Sequence, residues 1–305
     1  MRVLFLGNGE PFLRALIEDG QKVVTAVADP MYDDARPYFG CVPETAIRVG
    51  IPVIPQKVFR ERALSFVSEL SPDVIVVSGY RYRIPPQVFR YPPYGAINIH
   101  ASLLPRYRGR HPLNWAIISG ETKTGITIHY VDEGLDTGDI ILQEAVDVGP
   151  NEDVITVYYK IRNLGVRLIT TALRQLERGE ARRVPQDETL ASYFPPRRPE
   201  NGLINWNQSA RSIHNLVRAL VKPYTGAFTF WERKKLTTWK SHPQHVGTAL
   251  KPGEVGDCLE GGGFCVGTEE GFLVVLTASL DEEGEMAGDV CYRMCGLCHG
   301  DMLHK

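Results

Sequence analysis

No stretch of this sequence is long and apolar enough to cross a bilayer as a helix, so a membrane-embedded protein is not expected. The first residues, MRVLFLGNGE, reach a polar turn too early for a signal peptide and show no small-residue cleavage site, which makes a cytoplasmic protein the expectation. Neither sign of charge is in excess. The 34 Lys and Arg against 36 Asp and Glu leave a net charge of -2, and nothing in that total suggests a general nucleic-acid binder. Cysteine is sparse: the six residues Cys41, Cys258, Cys265, Cys291, Cys295 and Cys298 are scattered, unlike the framework of a secreted disulfide protein. There is no internal repeat and no low-complexity segment. The Gly7-Asn8-Gly9 turn lacks the third glycine of a dinucleotide-binding fingerprint and is followed at once by Pro11, so it reads as a tight strand-to-helix turn.

What is present is a chain of 305 residues, 43% hydrophobic, enough for one large or two modest domains. Strand patterns at residues 2–7, 22–28, 51–54 and 73–78 alternate with helical patterns at 11–19, 43–49 and 61–70. Residues 29–43 read as a polar loop. The run DVIVVS at 73–78 is apolar throughout, as a parallel strand between two helix layers tends to be. This order predicts an α/β, Rossmann-like doubly wound sheet. A helix at 115–119 and a long one at 154–179 follow, and residues 1–194 are expected to form the N-terminal domain. Residues 195–202 are rich in proline and charge and read as a linker. Residues 203–305 begin with a helix at 209–220. Short apolar runs then alternate with Gly and Pro, predicting a smaller open β-barrel (OB-like).

The stretch of chemical interest is NIHASLLPRYRGR, residues 98–110. It leaves the end of a buried strand, where open α/β sheets bind ligands. Period-2 alternation places Asn98 and His100 on one side of that strand. An imidazole exchanges protons near neutrality, and a carboxamide NH2 is a neutral donor suited to a developing oxyanion. Residues 125–143, GITIHYVDEGLDTGDIILQ, read as strand, acidic Gly-rich loop and strand. The loop offers Asp132, Glu133, Asp136 and Asp139, and spacing alone does not choose between Asp132 and Asp136 as the carboxylate partner of the histidine.

Taken together, Asn98, His100, the SLLPRYRG loop and the VDEGLDTGD loop resemble the folate-dependent formyltransferases, over nearly the whole chain. That resemblance implies a transferase using 10-formyltetrahydrofolate, with no metal. It implies Asn98, His100 and Asp136 as the catalytic set. It also implies a folate pocket formed by Tyr82, Arg83, Ile84, Leu103, Leu104, Arg110 and the loop Asp132, Glu133, Gly134, Leu135 and Asp136. Arg106, Arg108 and Arg110 are candidates for a folate tail or a substrate phosphate, since guanidinium groups bind both.

Three branches of the family compete for the acceptor. The acidic stretch at residues 29–34 would repel RNA and argues against methionyl-tRNA. The presence of Asn98 argues against the hydrolase-type branch. Residues 107–115 with Gly120-Glu121, and later residues 214–219 and 223–228, look most like the enzymes acting on nucleotide-linked amino sugars. The expectation is therefore N-formylation of a UDP- or dTDP-linked amino sugar, as in lipopolysaccharide or O-antigen biosynthesis. Nucleotide sugar and folate are the expected partners, with no nucleic acid, no membrane and a homodimer as the candidate assembly. Methionyl-tRNA is the alternative acceptor, and a hydrolase-type or non-catalytic folate-binding domain the next. Cys291, Cys295 and Cys298 are expected on one apolar stripe of a terminal helix rather than around a metal.

Overall fold

The structure, a computed structural model, describes all residues except 31–34, 246–249, 260, 261, 282 and 305. It forms two compact units. The first is Met1–Pro112, Lys123–Asp147 and Tyr158–Pro195; the second is Leu113–Thr122, Val148–Val157 and Pro196–Lys305.

The first unit is built on a seven-stranded sheet. Its strands are β1 (Arg2–Leu6), β2 (Lys22–Val27), β3 (Val53–Ile54), β4 (Val74–Val77), β5 (Ala96–His100), β7 (Lys123–Tyr130) and β8 (Ile140–Asp147), in the order β3-β2-β1-β4-β5-β7-β8. The short β6 (Arg108–Gly109) pairs separately with β9 (Tyr193–Phe194). Pairing is parallel from β3 through β5 and antiparallel beyond it. β1 and β4 sit at the centre and are apolar on both faces, because helices cover the parallel part of the sheet. One core cluster joins Leu4, Leu6, Ile75 and Val77 to Phe59, Val67 and Phe89 from the helical layer. The expected helix at 61–70 is two, Gln56–Glu61 and Ala63–Leu70, broken at Arg62 where φ is -134°. The expected loop at 29–43 holds a short helix, Arg36–Phe39. The stretch at 31–34, central to the argument against RNA, lies outside the described residues.

The second unit carries an antiparallel sheet, β10 (Ala227–Trp231), β11 (Lys234–Gln244), β12 (Val255–Leu259), β13 (Gly263–Gly267), β14 (Phe272–Leu280) and β15 (Met286–Ala287). Its order is β10-β11-β14-β13-β12, with β15 beside β14. The C-terminal tail pairs with both ends of that order: His304 with Phe230 of β10, and Met302 with Glu254 just before β12. A strand-like tail across two edges gives the barrel character. β11 runs further than its apolar pattern suggests. Pro243 falls where β10 has already ended, so its missing N–H costs no ladder bond on that side. The helix Ala210–Arg218 starts at Ser209, whose hydroxyl accepts from the Ser212 N–H.

The terminal helix is Gly288–Cys295, shorter than expected, because Gly296 adopts a left-handed cap. Cys291 is buried with its Sγ 3.8 Å from that of Cys295, but Cys298 lies beyond the helix and is exposed, so the three do not share a stripe. Among the described residues, no group of three or more His, Cys, Asp or Glu is gathered to hold a metal ion, and no helix is long and apolar enough to cross a membrane.

Candidate active site

β5 is where the sheet changes direction. Asn98 pairs with Val77 of β4 on one side and with His129 of β7 on the other, and His100 pairs with Thr127. Cross-strand partners point to the same face. Asn98, His100, Thr127 and His129 therefore form one polar patch at the end of β5. The β7–β8 loop folds over it and brings in Asp136, whose φ is 58°.

The contacts are specific. Asn98 Nδ2 lies 3.1 Å from His129 Nε2 and 3.4 Å from Asp136 Oδ1. His100 Nδ1 lies 3.7 Å from Asp136 Oδ2, and the Gly109 N–H donates to that same oxygen at 2.9 Å. His100 Nε2 is 2.9 Å from the Tyr107 carbonyl. A carbonyl only accepts, so Nε2 carries the hydrogen and Nδ1 faces the carboxylate. A proton taken up at Nδ1 is thereby met by Asp136. The loop's other candidate is occupied differently: Asp132 Oδ1 accepts from Gly134 N at 3.0 Å and from Thr137 Oγ1 at 2.6 Å, shaping the loop itself. Of the two carboxylates that spacing left open, Asp136 is the one that faces His100.

His129 was not singled out in the sequence. Its Nδ1 donates to the Tyr130 carbonyl at 2.8 Å, which leaves Nε2 as the acceptor for the Asn98 amide. Burial pulls its pKa down to about 4, partly opposed by the nearby Asp136, so the ring is neutral at pH 7. The signal was the HYVD sequence one strand later, but only the β5–β7 register reveals that it meets Asn98.

Of the expected folate-pocket residues, Tyr82 and Ile84 are half-buried on the segment leaving β4, with Ile84 packed against the core cluster of this unit. Arg83 is exposed and donates to the Glu133 carbonyl, while the Glu133 carboxylate pairs with Arg90. Arg110 is also exposed and donates to the Arg81 carbonyl at 3.0 Å. Two short segments, 81–84 and 132–136, are thus tied together. Leu135 stands 55% exposed on an otherwise polar loop. The half-buried Tyr82 ring and the uncovered Leu135 suit a flat polar heterocycle. Leu103 is half-buried against Gly125, where a Cβ would fall 2.5 Å from Leu103 Cδ2. Leu104 is core: it is buried, its N–H donates to Thr127 Oγ1 and its carbonyl accepts from Gln143 Nε2.

Arg108 departs from expectation. It is fully buried and holds Glu188, Gln186 and Tyr193, so it is not available to a folate tail or phosphate. Arg106 remains exposed.

A profile of the formyl transferase family matches residues 2–173, and its C-terminal domain profile matches residues 197–294. The chain belongs to the formyl transferase family. Formyltransferases of this kind draw the formyl group from 10-formyltetrahydrofolate. One relative is a methionyl-tRNA formyltransferase of Pelotomaculum thermopropionicum, 40% identical, covering 95% of this chain and 94% of its own length. Another, of Geobacter metallireducens, is 37% identical over 99% of this chain and 98% of its own. A solved N-formyltransferase of Helicobacter canadensis, in complex with folinic acid and dTDP-3-aminofucose, superposes with a TM-score of 0.71. It covers 90% of this chain and 98% of its own at 19% identity, and so shares the fold alone.

These formyltransferase relatives correct the expected acceptor. The enzymes that match nearly the whole chain at 37–40% identity are named for methionyl-tRNA. The amino-sugar acceptor, the lipopolysaccharide or O-antigen role and the exclusion of a nucleic-acid partner are not upheld. The physical reason lies in what the supporting motifs do. Within 107–115, Tyr107, Arg108, Leu113 and Asn114 are buried, and Asn114 donates to the Ala219 carbonyl at 2.8 Å. Within 214–219, His214, Asn215, Val217 and Arg218 are buried as well. Those stretches report packing, not the acceptor. A net charge is a whole-chain sum and says little about a local field.

Proposed function

We propose that this chain transfers the formyl group of 10-formyltetrahydrofolate to the amine of methionyl-tRNA. The observation that carries the reading is the set of methionyl-tRNA formyltransferases related to it end to end at 37–40% identity. Arg81, Arg106 and Arg110 are exposed on the segments leaving β4 and β5, which gives local positive charge of the kind that phosphates need.

When bound, the folate supplies an activated formyl carbon. The chain's residues supply the rest. Tyr82, Arg83, Ile84, Leu103 and Arg110, with the loop Asp132, Glu133, Gly134, Leu135 and Asp136, hold the donor through backbone groups and half-buried apolar surface. Asn98 gives one amide hydrogen to the neutral His129, which orients it, and turns the other, 3.4 Å from Asp136 Oδ1 in this structure, toward the developing oxyanion. His100 takes a proton from the attacking amine as the new C–N bond forms, Asp136 meets the resulting charge, and the proton is returned to the donor nitrogen whose bond to the formyl carbon breaks.

The test is a mass-spectrometric acceptor screen. Purified protein and the formyl donor are incubated with methionyl-tRNA and, separately, with UDP- and dTDP-linked amino sugars. A formyl gain on the methionyl group is expected. A gain on a sugar alone, or free formate alone, refutes the proposal.

A further inference from the structure

Asp136 is a non-glycine residue in the left-handed region, with φ 58°. Such a conformation is strained and persists only where the surroundings hold it. Two anchors hold this one. The first is the Gly109 N–H on the carboxylate, at 2.9 Å. The second is Gln186, whose Nε2 donates to the Asp136 carbonyl at 2.9 Å and to the Gly138 carbonyl at 2.8 Å. One side-chain amide therefore pins the peptide on both sides of Thr137.

Gln186 is itself fixed. Its Oε1 accepts from Arg108 Nη2 at 2.8 Å and from Arg108 Nε at 3.2 Å. That guanidinium is fully buried, and its other hydrogens go to the Glu188 carboxylate at 2.6 and 2.8 Å and to the Tyr193 hydroxyl at 2.7 Å. Gly109, the first anchor, is the next residue to Arg108 and pairs in β6 with Phe194 of β9. A Cβ at Gly109 would fall 2.3 Å from the Phe194 carbonyl oxygen, so only glycine permits this approach. Both anchors of Asp136 thus depend on residues 186–194, a strap that begins fifty positions away in sequence.

We propose that Gln186, clamped by Arg108, is a positioning residue that sets Asp136 against His100. The inference rests on the role given to Asp136 above. The amide does two separable jobs: it accepts from Arg108 and it donates to the loop. Gln186→Glu keeps the first, since a carboxylate still accepts from a guanidinium, and abolishes the second, since an ionised carboxylate has no hydrogen to give. Gln186→Met keeps the shape and removes both.

The experiment measures kcat and KM for the formyl donor and for methionyl-tRNA in the full-length wild type, Q186E, Q186M, D136N and the double variant D136N/Q186E. It also includes crystal structures of Q186E and Q186M. Both Gln186 variants are expected to lower kcat about 10–100-fold, the scale of a displacement near 1 Å. Each KM should stay within about twofold of wild type. Q186E should add nothing in the D136N background. In the Q186E crystal, the Asp136 carboxylate should have left the Gly109 N–H. If D136N itself keeps wild-type kcat, the role assigned to Asp136 fails. If D136N is impaired but Q186E and Q186M are not, or if they raise KM with kcat intact, the positioning role of Gln186 is overturned. An unmoved Asp136 in the Q186E and Q186M structures overturns it independently of any assay.

Discussion

The neutral His129 has a measurable thermodynamic consequence. In the unfolded chain a histidine titrates near 6.5; folded, burial pulls this one to about 4. As pH falls from 7 to 5, the unfolded chain takes up a proton that the folded protein refuses. Stability is therefore full above about pH 6.5, is lost between that value and about 4, and changes no further below it through this group. The whole shift corresponds to roughly 3 kcal/mol, of which about 2 kcal/mol is lost between pH 7 and pH 5. His129→Gln removes the titrating group while keeping a side chain able to bond Asn98. Urea unfolding of both proteins at pH 7 and pH 5 measures the difference. The wild type should lose about 2 kcal/mol more than the variant between the two conditions. His214 is also held to about 4, chiefly by burial, but it is present in both proteins and cancels. Equal losses in wild type and variant would refute the idea that His129 is held neutral.

Four further outcomes follow from the structure. Asn98→Ala should lower turnover of methionyl-tRNA by about 10²–10³ at saturating substrates, and His100→Ala by about 10²–10⁴, in steady-state assays. Near-normal turnover in either would remove that residue from the chemistry. Gly125→Ala places a Cβ 2.2 Å from the Glu144 carbonyl oxygen and 2.5 Å from Leu103 Cδ2, so it should destabilise by about 1–3 kcal/mol in a denaturant melt. Ser209→Ala removes the hydroxyl that caps the helix Ala210–Arg218 and should cost about 1 kcal/mol, read by thermal unfolding.

The formyltransferase character was legible early through a resemblance, because the motifs that carry it are local. Alternation alone set Asn98 and His100 on one side of β5, and the uninterrupted apolar run at 73–78 marked β4 as a buried parallel strand. The acceptor was not legible, since residues 107–115 and 214–219 mix site and packing demands, and sequence does not separate them. Arg108 shows the difficulty in one residue. It stands among exposed arginines in a basic loop and reads as a phosphate binder, yet it is buried against a glutamate eighty positions on.

The sequence by itself determined the strand-and-helix order, the α/β class and the pair Asn98 and His100, because periodicities of two and 3.6 residues are properties of the chain. Tertiary structure turned Asp136 rather than Asp132 toward His100, brought His129 to Asn98 and recruited Gln186 to the loop. Each of those depends on register or on pairing between distant segments. Such contacts are fixed by how the sheet orders its strands, and no local pattern encodes them.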